Sequence, residues 1–348
     1  MSELRIGLIG LGQVGKVHVN AYRTLQGARL VAVAEPHKPS LDALDPALGV
    51  ATYSDAKTML DEQKLDIVTI ATPCATHEAI TLMAAERGIN VLCEKPIALT
   101  PEAARRMIEG CSKAGVRLFY GSTYRFLPAV RKTRALVQEG LIGDIVLMRE
   151  QALGGAGAGT KPMGEHHYPK GYPGGFPMGL VDHGIHLMDV FSWATGLKVV
   201  GGHGRGNRTG QPMRTEFLQL EYDNGAISEL VYNECTYPTE LPNEGLFTLG
   251  DGWDVEGYVK AGGWIKHPSS IHFYGTKGSL RCFHYSNLLF HFPADGNVRL
   301  VPLDGAPPPD HFRAQMQAYV DDVRQGRPAT TPGEVGLKVL ETMLLAYR

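Results

Sequence analysis

Arg5-Ile6-Gly7-Leu8-Ile9-Gly10-Leu11-Gly12-Gln13-Val14-Gly15-Lys16-Val17-His18 is an apolar run of strand length that passes straight into Gly10-x-Gly12-x-x-Gly15. A helical pattern (Val14, Val17, His18, Ala21, Tyr22) follows at once, so the stretch reads as strand, tight turn and helix start. Each glycine has a reason. Gly10 permits the turn, Gly12 lets backbone amides approach a pyrophosphate, Gly15 lets helix and strand pack closely, and the helix N-terminus attracts the phosphate charge. Three glycines alone are weak support, because 42 glycines in 348 residues produce such spacings by chance. Context raises the signal. A second strand, Leu30-Val31-Ala32-Val33-Ala34, ends in Glu35 about twenty residues past Gly15, where an acid accepts the hydroxyls of an adenosine ribose. Gly10, Gly12, Gln13, Val14, Gly15 and Glu35 are thus candidate cofactor contacts. Glu35 repels a ribose 2′-phosphate and favours NAD, while His37 and Lys38 are near enough to keep NADP open.

Working outward, a chain of 348 residues is long for one core, and two domains are expected, at 1–123 and 124–348. With 43% hydrophobic residues, 20% charged residues and a net charge of −2, nothing points to nucleic acid, and no like-charge run suggests a membrane-surface anchor. A small-molecule partner is expected. Five cysteines (Cys74, Cys93, Cys111, Cys235, Cys282) without a CxxC pair argue against a disulfide framework or a cysteine zinc site. The chain opens into its first strand without a leader pattern, and no run approaches the ~18 apolar residues of a membrane helix. A cytoplasmic location follows as the expectation.

Through residue 123 strands and helices alternate, as in a doubly wound parallel sheet of the Rossmann type. Leu65–Ala71 reads as a buried strand ending in Thr72-Pro73-Cys74-Ala75-Thr76-His77; Val91-Leu92-Cys93 leads to Glu94-Lys95-Pro96; Val116–Tyr120 precedes Tyr124-Arg125-Phe126. Ligand crevices in open α/β sheets lie beyond the carboxyl ends of strands, so these loops should meet the glycine turn there. After a helix at Leu127–Glu139 and a strand at Ile145–Gln151, residues 154–179 are rich in Gly, Pro, Lys and His without periodicity, which reads as a long loop at the site's mouth or at a subunit contact. Leu180–Phe191 has helical spacing. Strands at Phe217–Tyr222, Ala226–Tyr232, Ile271–Tyr274, Ser279–Phe283, Leu288–Phe292 and Val298–Val301, with turns at Asp223-Asn224-Gly225 and Ala294-Asp295-Gly296-Asn297, predict a second, α+β domain on one large, mostly antiparallel sheet. Helices at Phe312–Gln325 and Gly333–Tyr347 close the chain.

Lys95 is the first candidate for chemistry. Pro96 restricts the backbone before it and can place it at a cis bond; an ammonium fixed at a strand end can hydrogen-bond a substrate hydroxyl and stabilise the alkoxide that forms as hydride leaves. A plain ion pair with Glu94 is the competing reading. Asp182 and His186, spaced i, i+4 on a helix, share a face, so the carboxylate can orient an imidazole that titrates near neutrality and serves as acid or base. Asp189, at i+3, is the alternative partner, and His183 points elsewhere on the helix. Glu165, His166 and His167 stand near this segment in sequence, but adjacent loop histidines point apart and the HExxH spacing is absent, so no metal is expected. No nucleophile elbow is present.

With these motifs assembled, the chain resembles the Gfo/Idh/MocA family, which contains glucose-fructose oxidoreductase and inositol dehydrogenase. The residues that carry the resemblance are Gly10-Leu11-Gly12-Gln13-Val14-Gly15, Thr72-Pro73-x-x-x-His77, Glu94-Lys95-Pro96, Tyr124-Arg125-Phe126-x-Pro128, Gly174-Gly175 leading to Asp182-x-Gly184-x-His186-x-x-Asp189, and Phe273-Tyr274-Gly275-Thr276-Lys277-Gly278-Ser279-Leu280. The resemblance implies a nicotinamide cofactor and reversible oxidation of a hydroxyl of a sugar, glycoside or cyclitol. It implies Lys95 as the substrate-polarising lysine, His186 as acid/base and Asp182 as a substrate or relay contact. Thr72, Pro73, His77, Glu94 and Lys95 itself would lie near the cofactor, and Arg125 near cofactor or substrate. Tyr124, His167, Tyr168 and His183 are the further candidate substrate contacts. Members also form oligomers through the second domain's sheet, so a homodimer or homotetramer is implied. Some members keep NAD bound to cleave glycosidic bonds, and one relative only senses; the presence of Lys95, Asp182 and His186 argues against a pure sensor.

Overall fold

A computed structural model describes residues 3–153, 180–206, 215–233, 270–284, 287–303 and 311–345. They divide into two compact units. The first holds the described residues up to Thr123 together with Asp310–Glu341; the second holds those of Tyr124–Glu165 and Lys170–Pro309.

The first unit is built on six strands, β1 (Leu4–Ile9), β2 (Ala28–Ala34), β3 (Ala51–Tyr53), β4 (Ile67–Ile70), β5 (Asn90–Cys93) and β6 (Leu118–Tyr120), all parallel, in the order β3-β2-β1-β4-β5-β6. This is the doubly wound arrangement, whose strand order reverses between β1 and β4 and opens a crevice there. The strands are nearly all apolar because helices cover both faces. Between them lie α1 (Gln13–Tyr22), α2 (Lys38–Asp42), α3 (Ala56–Glu62), α4 (His77–Ala85) and α5 (Pro101–Lys113). Helix starts follow local chemistry: Asp55 accepts from the Thr58 amide at 2.8 Å, and Thr100 accepts from the Ala103 amide at 3.2 Å with Pro101 at the first helical position.

The segment Asp310–Glu341, placed by sequence in the second domain, groups with the first. It holds helix α8 (His311–Arg324) and most of α9 (Gly333–Leu344). Phe312 meets His18 of α1 edge-on at 5.1 Å, Tyr319 stacks on Phe119 at 4.4 Å, and the Tyr120 amide donates to Thr331 O at 2.7 Å. An apolar helix face follows the surface it covers, whatever its position in the chain.

The second unit begins at Tyr124, within a short turn at Thr123–Phe126, and continues into α6 (Pro128–Gln138). Its sheet has eight strands, β7 (Ile145–Leu153), β8 (Val199–Gly206), β9 (Thr215–Tyr222), β10 (Ile227–Asn233), β11 (Ile271–Gly275), β12 (Gly278–Phe283), β13 (Leu288–Pro293) and β14 (Arg299–Leu300), in the order β14-β13-β12-β11-β7-β10-β9-β8. Every neighbouring pair is antiparallel except β7 with β10. Both turns foreseen in the sequence are hairpins, with Gly225 at φ 86° and Gly296 at φ 78°. Helix α7 (Ile185–Thr195) packs over the sheet, preceded by a π turn at Leu180–Gly184, so the helix expected over Leu180–Phe191 is split in two. No described helix is long and apolar enough to cross a membrane.

Candidate functional site

In the first unit the glycine turn has the shape its spacing requires. Gly10 has φ 95°, and a Cβ there would lie 2.5 Å from Ala71 O; a Cβ on Gly15 would lie 2.2 Å from Gly10 O. Gly12 differs: nothing lies within 4 Å of where its Cβ would be. The turn is closed towards the sheet and open on its outer side. Gly12 is also the N-cap of α1 and supplies no side chain to the first-turn amides, which leaves them to phosphate oxygens. A dinucleotide pyrophosphate fits this cradle. Gln13 and Val14 are exposed at the start of α1 beside it.

Glu35 stands at the end of β2, where a ribose is expected, and it also braces the turn. Its Oε2 accepts from the Leu11 amide at 2.7 Å and its Oε1 from the His37 amide at 2.9 Å. The two side chains that could receive a 2′-phosphate have local partners: the His37 ring lies 2.9 Å from Ser40 Oγ, and Lys38 Nζ lies 2.7 Å from Asp42.

The loops after β4 and β5 join the same edge. Gly10 abuts Ala71 and Thr72, and His77 ties Thr72 to Pro96, with Nε2 2.9 Å from Thr72 O and Nδ1 2.9 Å from Pro96 O. The neutral ring donates to one carbonyl at a time. Burial pushes the His77 imidazole below its ordinary value, against the opposite pull of the two carbonyls. His77 therefore braces the loop, with both ring nitrogens turned to main-chain carbonyls. Thr72 is half-buried and Pro73 exposed at that loop.

Lys95 is half-buried immediately after β5, and the Lys95–Pro96 peptide is cis. Beneath it Glu94 is buried, with Oε1 2.7 Å from His18 Nε2 and Oε2 accepting from the Lys95 amide at 3.2 Å. The chain of contacts continues from His18 Nδ1 to Tyr22 OH and from there to Thr69 Oγ1, each at 2.8 Å. Burial raises the Glu94 carboxyl, but the hydrogen bond from His18 and the charges of His18 and Lys95 outweigh it and hold it below its usual value. Lys95 thus follows directly on a buried carboxylate that accepts its amide. The sequence reading missed His18 as its partner, although a histidine on the same helix face as Val19 and Tyr22 must find one when buried.

In the second unit His186 is half-buried in the first turn of α7, and its ring stacks on Tyr124 with centroids 4.2 Å apart and planes 5° apart. Arg125 is held by Asp189, with Nε 2.8 Å from Oδ2 and Nη2 2.5 Å from Oδ1, and its cation lies over Trp193 at 5.3 Å. Asp189, the alternative partner for His186, thus turns both oxygens to Arg125. His183 is buried, with Nε2 3.0 Å from Glu150 Oε1 and Nδ1 3.4 Å from Tyr124 OH. Glu150 went unnoticed in the sequence, although it shares strand parity with Met148 and so points to the apolar face. The backbone of Asp182 lies in the π turn; its side chain, the loop at 154–179 with His167 and Tyr168, and Cys235 lie outside the described residues. Cys74, Cys93, Cys111 and Cys282 are free and buried, and burial pushes the Cys74 thiol up to about 12.

The comparisons agree with this architecture. Residues 4–122 match a family model described as an oxidoreductase family with an NAD-binding Rossmann fold, and residues 130–281 match the GFO/IDH/MocA C-terminal domain. The chain is 37% identical over 337 residues to a D-glucoside 3-dehydrogenase of Escherichia coli K12, covering 94% of this chain and 89% of that protein. It is 27% identical over 343 residues to inositol 2-dehydrogenase 2 of Saccharopolyspora erythraea, covering 95% and 86%. In fold it is similar to a scyllo-inositol dehydrogenase of Lactobacillus casei solved with NAD(H) and scyllo-inositol, at a TM-score of 0.73 and 22% identity over 99% of this chain and 96% of that one. The chain belongs to the Gfo/Idh/MocA family of oxidoreductases, with an NAD-binding Rossmann domain at its N-terminal end.

Proposed function

We propose that this NAD(P)-dependent dehydrogenase oxidises a secondary hydroxyl of a sugar, glycoside or cyclitol, with Lys95 and His186 as its acid-base groups. The observation that carries the reading is Lys95, a half-buried ammonium at a strand end whose own amide is tied to the buried Glu94. NAD, when bound, supplies the hydride acceptor. Lys95 would hydrogen-bond the substrate oxygen and stabilise the alkoxide that develops on it. His186 would take the hydroxyl proton, and stacking on Tyr124 fixes the plane of its ring for that transfer. Asp182 is proposed as a substrate or relay contact. The substrate class is supported by the relatives, which act on a D-glucoside and on inositol by name. Replacing His186 by asparagine is expected to lower kcat by about 10²–10⁴-fold at neutral pH, and the deficit should shrink as pH rises and solvent base takes over. An unchanged kcat and pH profile would remove His186 from the chemistry.

NAD is the proposed coenzyme over NADP, because the Glu35 carboxylate stands where a 2′-phosphate would come and the nearby His37 and Lys38 side chains have local partners. Exchanging Glu35 for serine is expected to weaken NAD about tenfold, the cost of one charge-assisted hydrogen bond, and to narrow the gap to NADP. Coenzyme KM values for both nucleotides measure this. Equal NAD and NADP affinities in the unaltered protein would contradict it. A homodimer or homotetramer formed through the eight-stranded sheet is part of the same proposal.

A further inference from the structure

We propose that Glu150, His183 and His284 form a binding site for a divalent cation of the zinc class within the second unit. The three side chains are buried, and each offers a donor atom such that all three donors lie within 4.8 Å of one another. They come from separate elements. Glu150 projects from β7, His183 from the π turn before α7, and His284 follows directly on β12.

The donor chemistry is selective. Two imidazoles and a carboxylate form a set that zinc-class ions bind, with a fourth position left for water or substrate. Hard ions such as magnesium and calcium prefer oxygen donors and are a poor match. Tetrahedral zinc with bonds of about 2.0–2.1 Å holds its donors about 3.3 Å apart, so the widest pair must close by at most about 1.5 Å, a movement within side-chain rotation.

The surroundings resemble those that hold metal ligands in place. Glu150 Oε2 accepts from Tyr232 OH at 2.6 Å, which leaves Oε1 on the His183 side. His183 turns Nδ1 to Tyr124 OH at 3.4 Å and Nε2 to the cluster. Outer hydrogen bonds of this kind fix the tautomer and direction of a ligating ring. Glu216, itself buried, accepts from the Leu180 amide at 2.8 Å and pins the start of the π turn.

The histidines close together in the chain, His166 and His167, are not part of this set. This cluster is assembled across about 130 residues by the sheet and carries no local motif. An ion here would tie β7 and β12 to the turn that leads into α7, the helix that carries His186.

Tag-free protein, dialysed after expression in zinc-supplemented medium, is expected to hold about one zinc per chain by elemental analysis. Cobalt exchanged into the site should give visible ligand-field absorption, and zinc added to chelator-treated protein should raise its thermal midpoint. Glu150→Gln and His284→Asn should each lower zinc retention and the cobalt signal at least about tenfold. Protein that retains no ion, shows no cobalt absorption and has a midpoint indifferent to zinc would overturn the proposal and leave a buried carboxylate–imidazole pair. Stoichiometric metal unaffected by both substitutions would overturn it as well. Should a variant fail to fold, the cobalt spectrum of the unaltered protein decides alone, since two nitrogens and one oxygen give a ligand field distinct from that of hydrated cobalt.

Discussion

Changing Lys95 to alanine is expected to lower kcat/KM by about 10³-fold, roughly 4 kcal/mol of transition-state stabilisation. The size follows from the role. A donor aimed at the oxygen that becomes an alkoxide acts most strongly in the transition state, so the loss should fall mainly on kcat. The ammonium is half-buried at the end of β5, outside the packed core, so the thermal midpoint should move little and NAD affinity should stay within about threefold. Arginine at this position should not restore activity, because a planar fork cannot occupy the place of a compact ammonium. Steady-state kinetics beside a calorimetric NAD titration separate these effects. A kcat within tenfold of the unaltered enzyme would place Lys95 outside the chemistry.

Glu94→Ala is expected to have the second large effect, on stability. Glu94 is buried, faces His18 Nε2 at 2.7 Å and accepts the Lys95 amide, and its removal leaves the His18 ring facing Tyr22 on one side only. Stripping a buried carboxylate from its hydrogen-bonded partners in this way costs about 3–5 kcal/mol, or roughly 4–7 °C in a protein of this size. The pH dependence has a definite sign. The Glu94 carboxyl is held below its ordinary value of 4.5, so its contribution is complete above pH 4.5 and is lost as pH falls through the folded-state value. The gap in midpoint between the unaltered protein and Glu94→Ala should therefore be widest near neutrality and close in acid. Glu94→Gln, which keeps the shape and one hydrogen bond, should cost less. Equal midpoints for all three proteins at neutral pH would show that the pair carries no stability.

The parts legible in the sequence are those whose residues answer to local rules. The strand, glycine turn, helix and Glu35 could be read because each glycine has one backbone job, and the structure shows Gly10 at φ 95° and Gly15 against Gly10 O. The turns at Gly225 and Gly296 were legible for the same reason. Edge strands were harder: β8, Val-Val-Gly-Gly-His-Gly-Arg-Gly, lacks the apolar alternation that marks β9, because an edge strand packs against one neighbour only. The partnership of α8 with the first unit was invisible because it depends on which surface an amphipathic helix covers. The site shows the same division. Glu94-Lys95-Pro96 stood out as a motif, whereas His18 beneath it and Glu150 beside His183 become partners only through contacts across 76 and 33 residues. Arg125 carried a motif too, yet its fork is taken up by Asp189.

Whether the protein is a net dehydrogenase is read from the accumulation of free reduced nicotinamide over many turnovers, with NAD in excess, across a panel of D-glucosides, free sugars and inositols. Steady NADH formation with one of these groups, in step with ketone product, is expected, with near-abolition in Lys95→Ala. NAD bound with measurable affinity but no reduced nicotinamide released with any of them would contradict it.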